Sequence, residues 1–433
     1  MACHLSALPS ELFDRIFFEL ESVSDVTNLA ATARFAYRHF NSRKEPILFH
    51  LLRRELGPVL RDAKFLLLFP YGDPAEGARY HDWIHTMAEV YWEMQWDPAF
   101  ESDGIWRGPL PNLEELIRLF RTLRCVNILA DAFVEAQLRS FQEGDEAILS
   151  PAAAPLSRSE RLRVVRSFYR RQIVSNAWAP TRRPVYRDWS QQDGDALATW
   201  SWGKGPGVRR GLFDAWAAWE LGQIDHIDFF IGRLCMALLH CSRLDDTTVR
   251  PIEKTDFADM YAHINRLVSY LQTHPDLADA ALRSLPTLGP NEDEFAEFAG
   301  GMDSIYAKSC SIYPLPYAFN IHRGQTLPDS QSSTWDRARA EVEFSEDHVL
   351  RVPYGWVDMT VNLTIDWYGE VIGCVSAGED MGLGFVDVLV SAWRVWKCSG
   401  FPLWDKDRIV ALKKMEKFRS LYTGWLRPFG PRS

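Results

Sequence analysis

Apolar positions recur at helical spacing along the first forty residues. Leu12, Ile16 and Leu20 follow one another at four-residue intervals with Phe13 and Phe17 alongside. The spacing predicts an amphipathic helix whose apolar arc is wider than one short helix can bury on itself. Pro9 stands where a helix can begin, because the N–H it lacks would have had no acceptor in the first turn. Glu11 and Asp14 then bring negative charge toward the positive end of the helix dipole. Ser22 to Asp25 interrupts the pattern. A second helix is expected from Ser24 or Asp25, both good caps, with Val26, Leu29 and Ala33 on its inner side, and Arg34 to Phe40 forms a third short segment. A bundle of about 40 residues buries little core by itself, so this one should lean on a partner or on the rest of the chain.

Beyond it the pattern stays helical. Ile47, Leu48, Leu51 and Leu52 carry the chain onward, an apolar run ends at Phe69 before the turn cluster Pro70 to Pro74, and Tyr80 to Gln95 sets Trp83, Met87, Val90 and Met94 at helical spacing. Leu116, Leu119, Leu123, Val126, Leu129 and Phe133 form one long core stripe within Leu113 to Phe141. After a break at 150–157, Ser157 with Glu160 three residues on reads as a capping box for a helix to about Asn176. Pro180 to Gly211 is rich in Gly and Pro and reads as a surface loop. Helices are expected again over Leu212 to Leu244 and Phe257 to Leu285, followed by breaks at Pro286 to Asn291 and 322–335.

The last hundred residues change texture. Val357, Met359, Val361, Leu363, Ile365 and Trp367 alternate with polar neighbours, a period of two that predicts a strand and, with Val371 to Val375, a short hairpin near 355–375. A final helix is expected from about Asp405 to near Gly424, with Ile409, Leu412 and Met415 inward. The fold class read from these patterns is mainly α, with a small three-helix domain over 1–50 and a mostly helical region over 51–433.

The run Leu8-Pro9-Ser10-Glu11-Leu12, continued through Ile16, Leu20, Asp25, Val26, Leu29, Thr32 and Arg34, resembles an F-box in the spacing common to fungal F-box proteins. Ala33 stands where that family usually has Cys, and Ala36 where it usually has Trp or Phe, with Phe35 and Tyr37 available to fill the volume. The region after residue 157, with Trp216, Trp219, Glu220 and Leu221, is also similar to the part that follows the F-box in many fungal relatives. The resemblance of the first stretch implies docking to a Skp-family adaptor, and through it to a cullin scaffold, by way of Leu8, Pro9, Leu12, Ile16, Leu20, Val26 and Leu29. It implies a subunit that brings an unknown target protein to a ubiquitin ligase and contributes no chemistry of its own. The alternative is a scaffold, or an unrecognised enzyme in the larger region acting independently of ubiquitination.

Composition narrows this picture. Net charge is −10 over 433 residues, which argues against phosphate-backbone binding as the main task. Met1 to Leu12 lacks the pattern of a signal peptide and no run of 18 apolar residues occurs, so a protein of the cytoplasm or nucleus, not of the membrane, is expected. The 7 cysteines form no CxxC unit, so neither a zinc ribbon nor a disulfide framework is indicated. His81 and His85 share a helical face, but Asp82 stands where a metalloprotease helix carries Glu and no third ligand follows. No nucleophile elbow or phosphate loop is present, and Gly378, Gly382 and Gly384 match no phosphate fingerprint. No catalytic residue, cofactor or metal site is expected. The close tryptophan pairs, among 17 in all, read as cement between helices. Arg158, Arg161, Arg163, Arg166, Arg170 and Arg171 crowd one helix. They could recognise acidic or phosphorylated targets, but pairing with acidic neighbours in the same domain is the expectation.

Overall fold

In the computed structural model, residues 8–69, 86–91, 93–94, 109–142, 151–178, 216, 218–244, 252–285, 353, 400 and 403–415 are described. Among them the chain is mainly α-helical and contains no strand. The expected hairpin near 355–375, the loop after Pro180, the break at 322–335 and the pair His81 and His85 lie outside the described residues. The chain divides into two compact units, Met1–Pro70 with Val90–Cys125, and Tyr71–Glu89 with Val126–Ser433.

The first unit opens with α1 (Ser10–Glu19), α2 (Val23–Thr32) and α3 (Arg34–Leu56), followed by a 3-10 turn at Gly57–Val59 and α4 (Leu60–Leu68). Pro9 is the N-cap of α1 rather than its first residue, with ψ at 149°. The second helix begins one to two residues earlier than the sequence suggested. Its cap is Ser22, whose Oγ accepts the Asp25 N–H at 3.1 Å and donates to the Asp25 carboxylate at 2.7 Å, so the hydroxyl satisfies one of the otherwise unbonded first-turn donors. The third segment does not stop at Phe40. It continues to Leu56 through a kink at Arg43 (φ −125°, ψ 16°), and Pro46 accounts for the bend, since its ring crowds the backbone one turn back and it has no N–H to donate.

The second unit is built around α6 (Arg158–Trp178), with α5 (Leu113–Gln142) entering from the first unit and α7 (Ala218–Leu244), α8 (Lys254–Ala262), α9 (Ile264–Thr273), α10 (Pro275–Ser284) and α11 (Lys406–Lys414) completing it. The capping box reads as expected: Ser157 Oγ accepts the Glu160 N–H at 3.1 Å, and the Glu160 carboxylate accepts the Ser157 N–H at 3.0 Å. From Ser159 to Asn176 every residue except Arg161 is buried, although the helix has no apolar stripe of its own. Its polar side chains must therefore find partners inside the protein.

They do so through carboxylates from distant segments. Arg163 reaches Asp405 at 2.6 Å, Arg166 and Arg170 converge on Glu220, and Arg171 Nε donates to Asp228 at 3.0 Å. Asp228 also accepts the Tyr261 hydroxyl at 2.8 Å. Glu160 is the densest node, accepting two bonds from Arg408 at 2.9 Å and the backbone N–H of Asp405 at 3.0 Å in addition to that of Ser157. Arg408 further donates to the carbonyls of Ala152 and Pro155. The recognition-face reading of the basic helix does not describe its buried arginines: their acidic partners lie within the same unit.

Apolar contacts fasten the same joint. Trp404 is fully buried, stacked on Phe133 with centroids 6.2 Å apart, and Arg408 lies over its ring. Gly400 has φ +70°, and a Cβ there would come within 2.7 Å of the Trp404 ring, so both backbone conformation and space ask for glycine.

The helical stretch expected over Phe257 to Leu285 divides into three helices, broken at His263 (φ −129°, ψ 112°) and His274 (φ −130°, ψ 65°). Pro275 explains the second break, because proline disfavours helical backbone in the residue before it. The first is stabilised from outside: the Gln172 amide donates to the Ala262 carbonyl at 3.2 Å and accepts the Ile264 N–H at 2.9 Å. One side chain of α6 thus satisfies backbone groups on both sides of the break.

Removing Glu160 should strand the buried Arg408 and Asp405 N–H together. Glu160→Ala is expected to cost about 3–5 kcal/mol. Asp131→Ala, which deletes the exposed partner of Arg161, should cost about 1 kcal/mol or less. Denaturant titration of the two variants beside the parent measures the contrast.

Candidate functional site

At roughly 100° per residue, the α1 sequence distributes its apolar side chains over two faces. Phe13 and Phe17 fall on one and are buried; Leu12 and Ile16 fall about 100° away. The inner pair packs in a cluster with Val26, Ala36, Ile47 and Leu51, bordered by Phe35, Phe40 and Phe120. Phe13 meets Phe35 edge-on at 5.4 Å, and Phe17 stacks against the His39 ring at 5.9 Å. A polar clamp sits beside these rings: Asp14 is bound by His39 Nε2 at 2.9 Å and by Arg43 Nη2 at 3.1 Å. Rings and clamp together hold α1 to α3 by its inner side.

The outer face is left open. Leu8 is 37% exposed and Leu12 42%; Pro9 is exposed and Ile16 half-buried. With Leu20 and Leu29, which are half-buried as well, six of the seven expected docking residues therefore lie wholly or partly at the surface. Leu20 and Leu29 pack against the internal cluster, and Val26 is fully buried within it. Val26 holds the bundle together from within and offers a partner no surface. Val23 and Tyr37 are exposed at 37% and 57%; Val23 was not singled out in the sequence, since it became a helical residue only through the cap at Ser22. Burial, with Arg54 beside it, lowers the pKa of His50 from its ordinary value, the Phe18 carbonyl and Glu19 opposing.

The departures at Ala33 and Ala36 have a structural reading. Ala33 ends α2 and caps α3 in extended conformation, with φ at −158°. Ala36 is fully buried, and of the two aromatic neighbours expected to compensate, Phe35 packs into the cluster while Tyr37 points outward. Phe40 supplies a further ring, 6.0 Å from Phe17.

No protein-family model, no curated protein and no solved structure matches this chain. Among the described residues no group of three or more His, Cys, Asp or Glu side chains could hold a metal ion, and no described helix is long and apolar enough to cross a membrane. Cys235 is completely buried, and burial pushes its thiol up to about 12 against the opposing influence of Arg171, which keeps it protonated and a poor nucleophile.

Because Ala36 is fully buried in a cluster that Phe35 and Phe40 already border, restoring a ring there should overpack it. Ala36→Phe is expected to destabilise by about 1–3 kcal/mol, whereas Leu12→Ala on the open face should change stability by no more than about 0.5 kcal/mol. Thermal melts of both variants decide the point.

Proposed function

We propose that this chain is the substrate-receptor subunit of a Skp-cullin-F-box ubiquitin ligase, docking to a Skp-family adaptor through the outer face of α1. The observation that carries the reading is the double-sided helix. Phe13 and Phe17 already complete the inner core, so Leu8, Pro9, Leu12 and Ile16 form a second apolar row that the three-helix bundle does not use. An open apolar row in the stretch that resembles an F-box suits association with another protein. Burying one leucine or isoleucine contributes about 1.5–3 kcal/mol, which makes the row strong enough to anchor an interface.

On this reading the first unit supplies attachment and the remaining chain holds a target protein. The gain is one of proximity: a lysine on the target is held close to the ligase's catalytic subunits, raising its effective concentration without any side chain of the receptor entering the reaction.

Full-length chain should co-purify with a recombinant Skp-family adaptor. The double substitution Leu8→Asp with Ile16→Asp should weaken that binding at least about 100-fold, from the loss of two buried apolar groups, while the far-UV circular dichroism and melting temperature stay near those of the parent. An adaptor that ignores the parent chain, or binds the double variant equally well, would overturn the proposal.

A further inference from the structure

Around α2 the exposed charges are sorted by sign. At its start Glu21 and Asp25 are exposed, and between them Val23 is exposed at 37%. In the first turns of α3, Arg34 and Arg38 are exposed, and between them stands Tyr37 at 57%, the most exposed large apolar side chain among the described residues. Neither arginine has an acidic residue three or four positions away along the chain, and neither acid has a basic one there. Each pair thus sets like charges four residues apart, a mildly repulsive arrangement that the chain leaves without a local counter-charge. The core makes no use of Tyr37: Ala36 is buried, and Phe35 and Phe40 supply the rings that border it.

The two patches flank α2. Val23 is its first residue, and Arg34 follows directly on its C-cap Ala33, so a helix about 15 Å long separates them. Between them Ser24, Thr27, Asn28 and Ala31 are exposed and short. The Thr27 hydroxyl already donates to the Ser24 carbonyl at 2.9 Å, so covering it strands no donor.

We propose that the chain pairs with a second copy of itself across α2, Tyr37 and its two arginines on one copy meeting Val23, Glu21 and Asp25 on the other. A two-fold axis with the α2 helices antiparallel brings the acidic end of each against the basic end of its partner, so one arrangement satisfies both contacts. The patches match in order as well as in charge, each being an apolar residue between two like charges. Tyrosine and arginine are the residue types that most often carry an interface, and the opposed charges fix register and choice of partner. The net charge of −10 resists pairing only weakly, since physiological salt screens exposed charges beyond about 8 Å. This surface is separate from the docking row of α1, and the inference does not depend on that reading.

The test is sedimentation equilibrium of the full-length chain over about 1–100 µM, the range suited to a small interface. The parent should be dimeric at the upper end. Arg34→Glu with Arg38→Glu should be monomeric, and so should Glu21→Arg with Asp25→Arg, because each variant then meets only its own sign. An equimolar mixture of the two should recover the dimer, since both contacts are complementary again. Tyr37→Ala should weaken pairing about tenfold, while Leu8→Asp with Ile16→Asp should leave it intact. A monomeric parent, a mixture of folded variants that stays monomeric, or loss of pairing in the Leu8 and Ile16 variant overturns the proposal. Should circular dichroism show that a charge variant has lost its helices, Tyr37→Ala decides, and undiminished pairing there refutes it.

Discussion

A guanidinium group can be withdrawn from water only where a carboxylate and further acceptors meet it, because the lost hydration amounts to several kcal/mol per ion. The second unit faces that requirement at Arg163, Arg166, Arg170, Arg171 and Arg408, all buried. Meeting it dictates the course of the chain. Asp405 and Arg408, about 250 residues beyond the start of α6, must return to Arg163 and Glu160, and α7 must run so that Glu220 and Asp228 both face the same helix. The interior is consequently organised by charge geometry as much as by apolar volume. Apolar groups such as Trp404, Phe133 and Phe230 fill the space between the ion pairs.

Such an arrangement is specific without being a large source of stability. Replacing a buried pair by well-fitting apolar groups is often neutral or stabilising, while removing one partner alone is severe. The network therefore narrows the ways in which α6 can be packed: a shift by one residue would carry every arginine away from its carboxylate. The glutamine bridge at the α8–α9 break works in the same way, spending a side chain of α6 on backbone groups that a continuous helix would have satisfied locally.

The first unit is organised on a different principle. Its core is aromatic and aliphatic, with one clamp at Asp14, and a ten-residue α1 would be marginal alone. It is held by Phe13 and Phe17, which leaves the adjacent apolar row of Leu12 and Ile16 turned wholly or partly to the surface. The two-faced character was visible in the sequence as an arc too wide for one helix. Which row turned inward was not visible, because Leu12 and Phe13 are equally apolar.

Local chemistry was legible from the residues themselves. The helical periods of α1 and α5, the Ser157–Glu160 box and the mainly α class all depend on groups within one or two turns of one another, and such groups interact wherever the chain goes. The tertiary structure alone decided that Val26 is interior and Leu12 is not, that α3 runs on beyond Phe40, that the helix from Phe257 is broken at His263, and that the basic helix is a buried core element. Each of these outcomes depends on a partner far away in sequence: Ile47 against Val26, Gln172 across the break, and Asp405, Glu220 and Asp228 for the arginines. The sequence displays the charges and the apolar rows, but only the folded chain determines which of them are brought together.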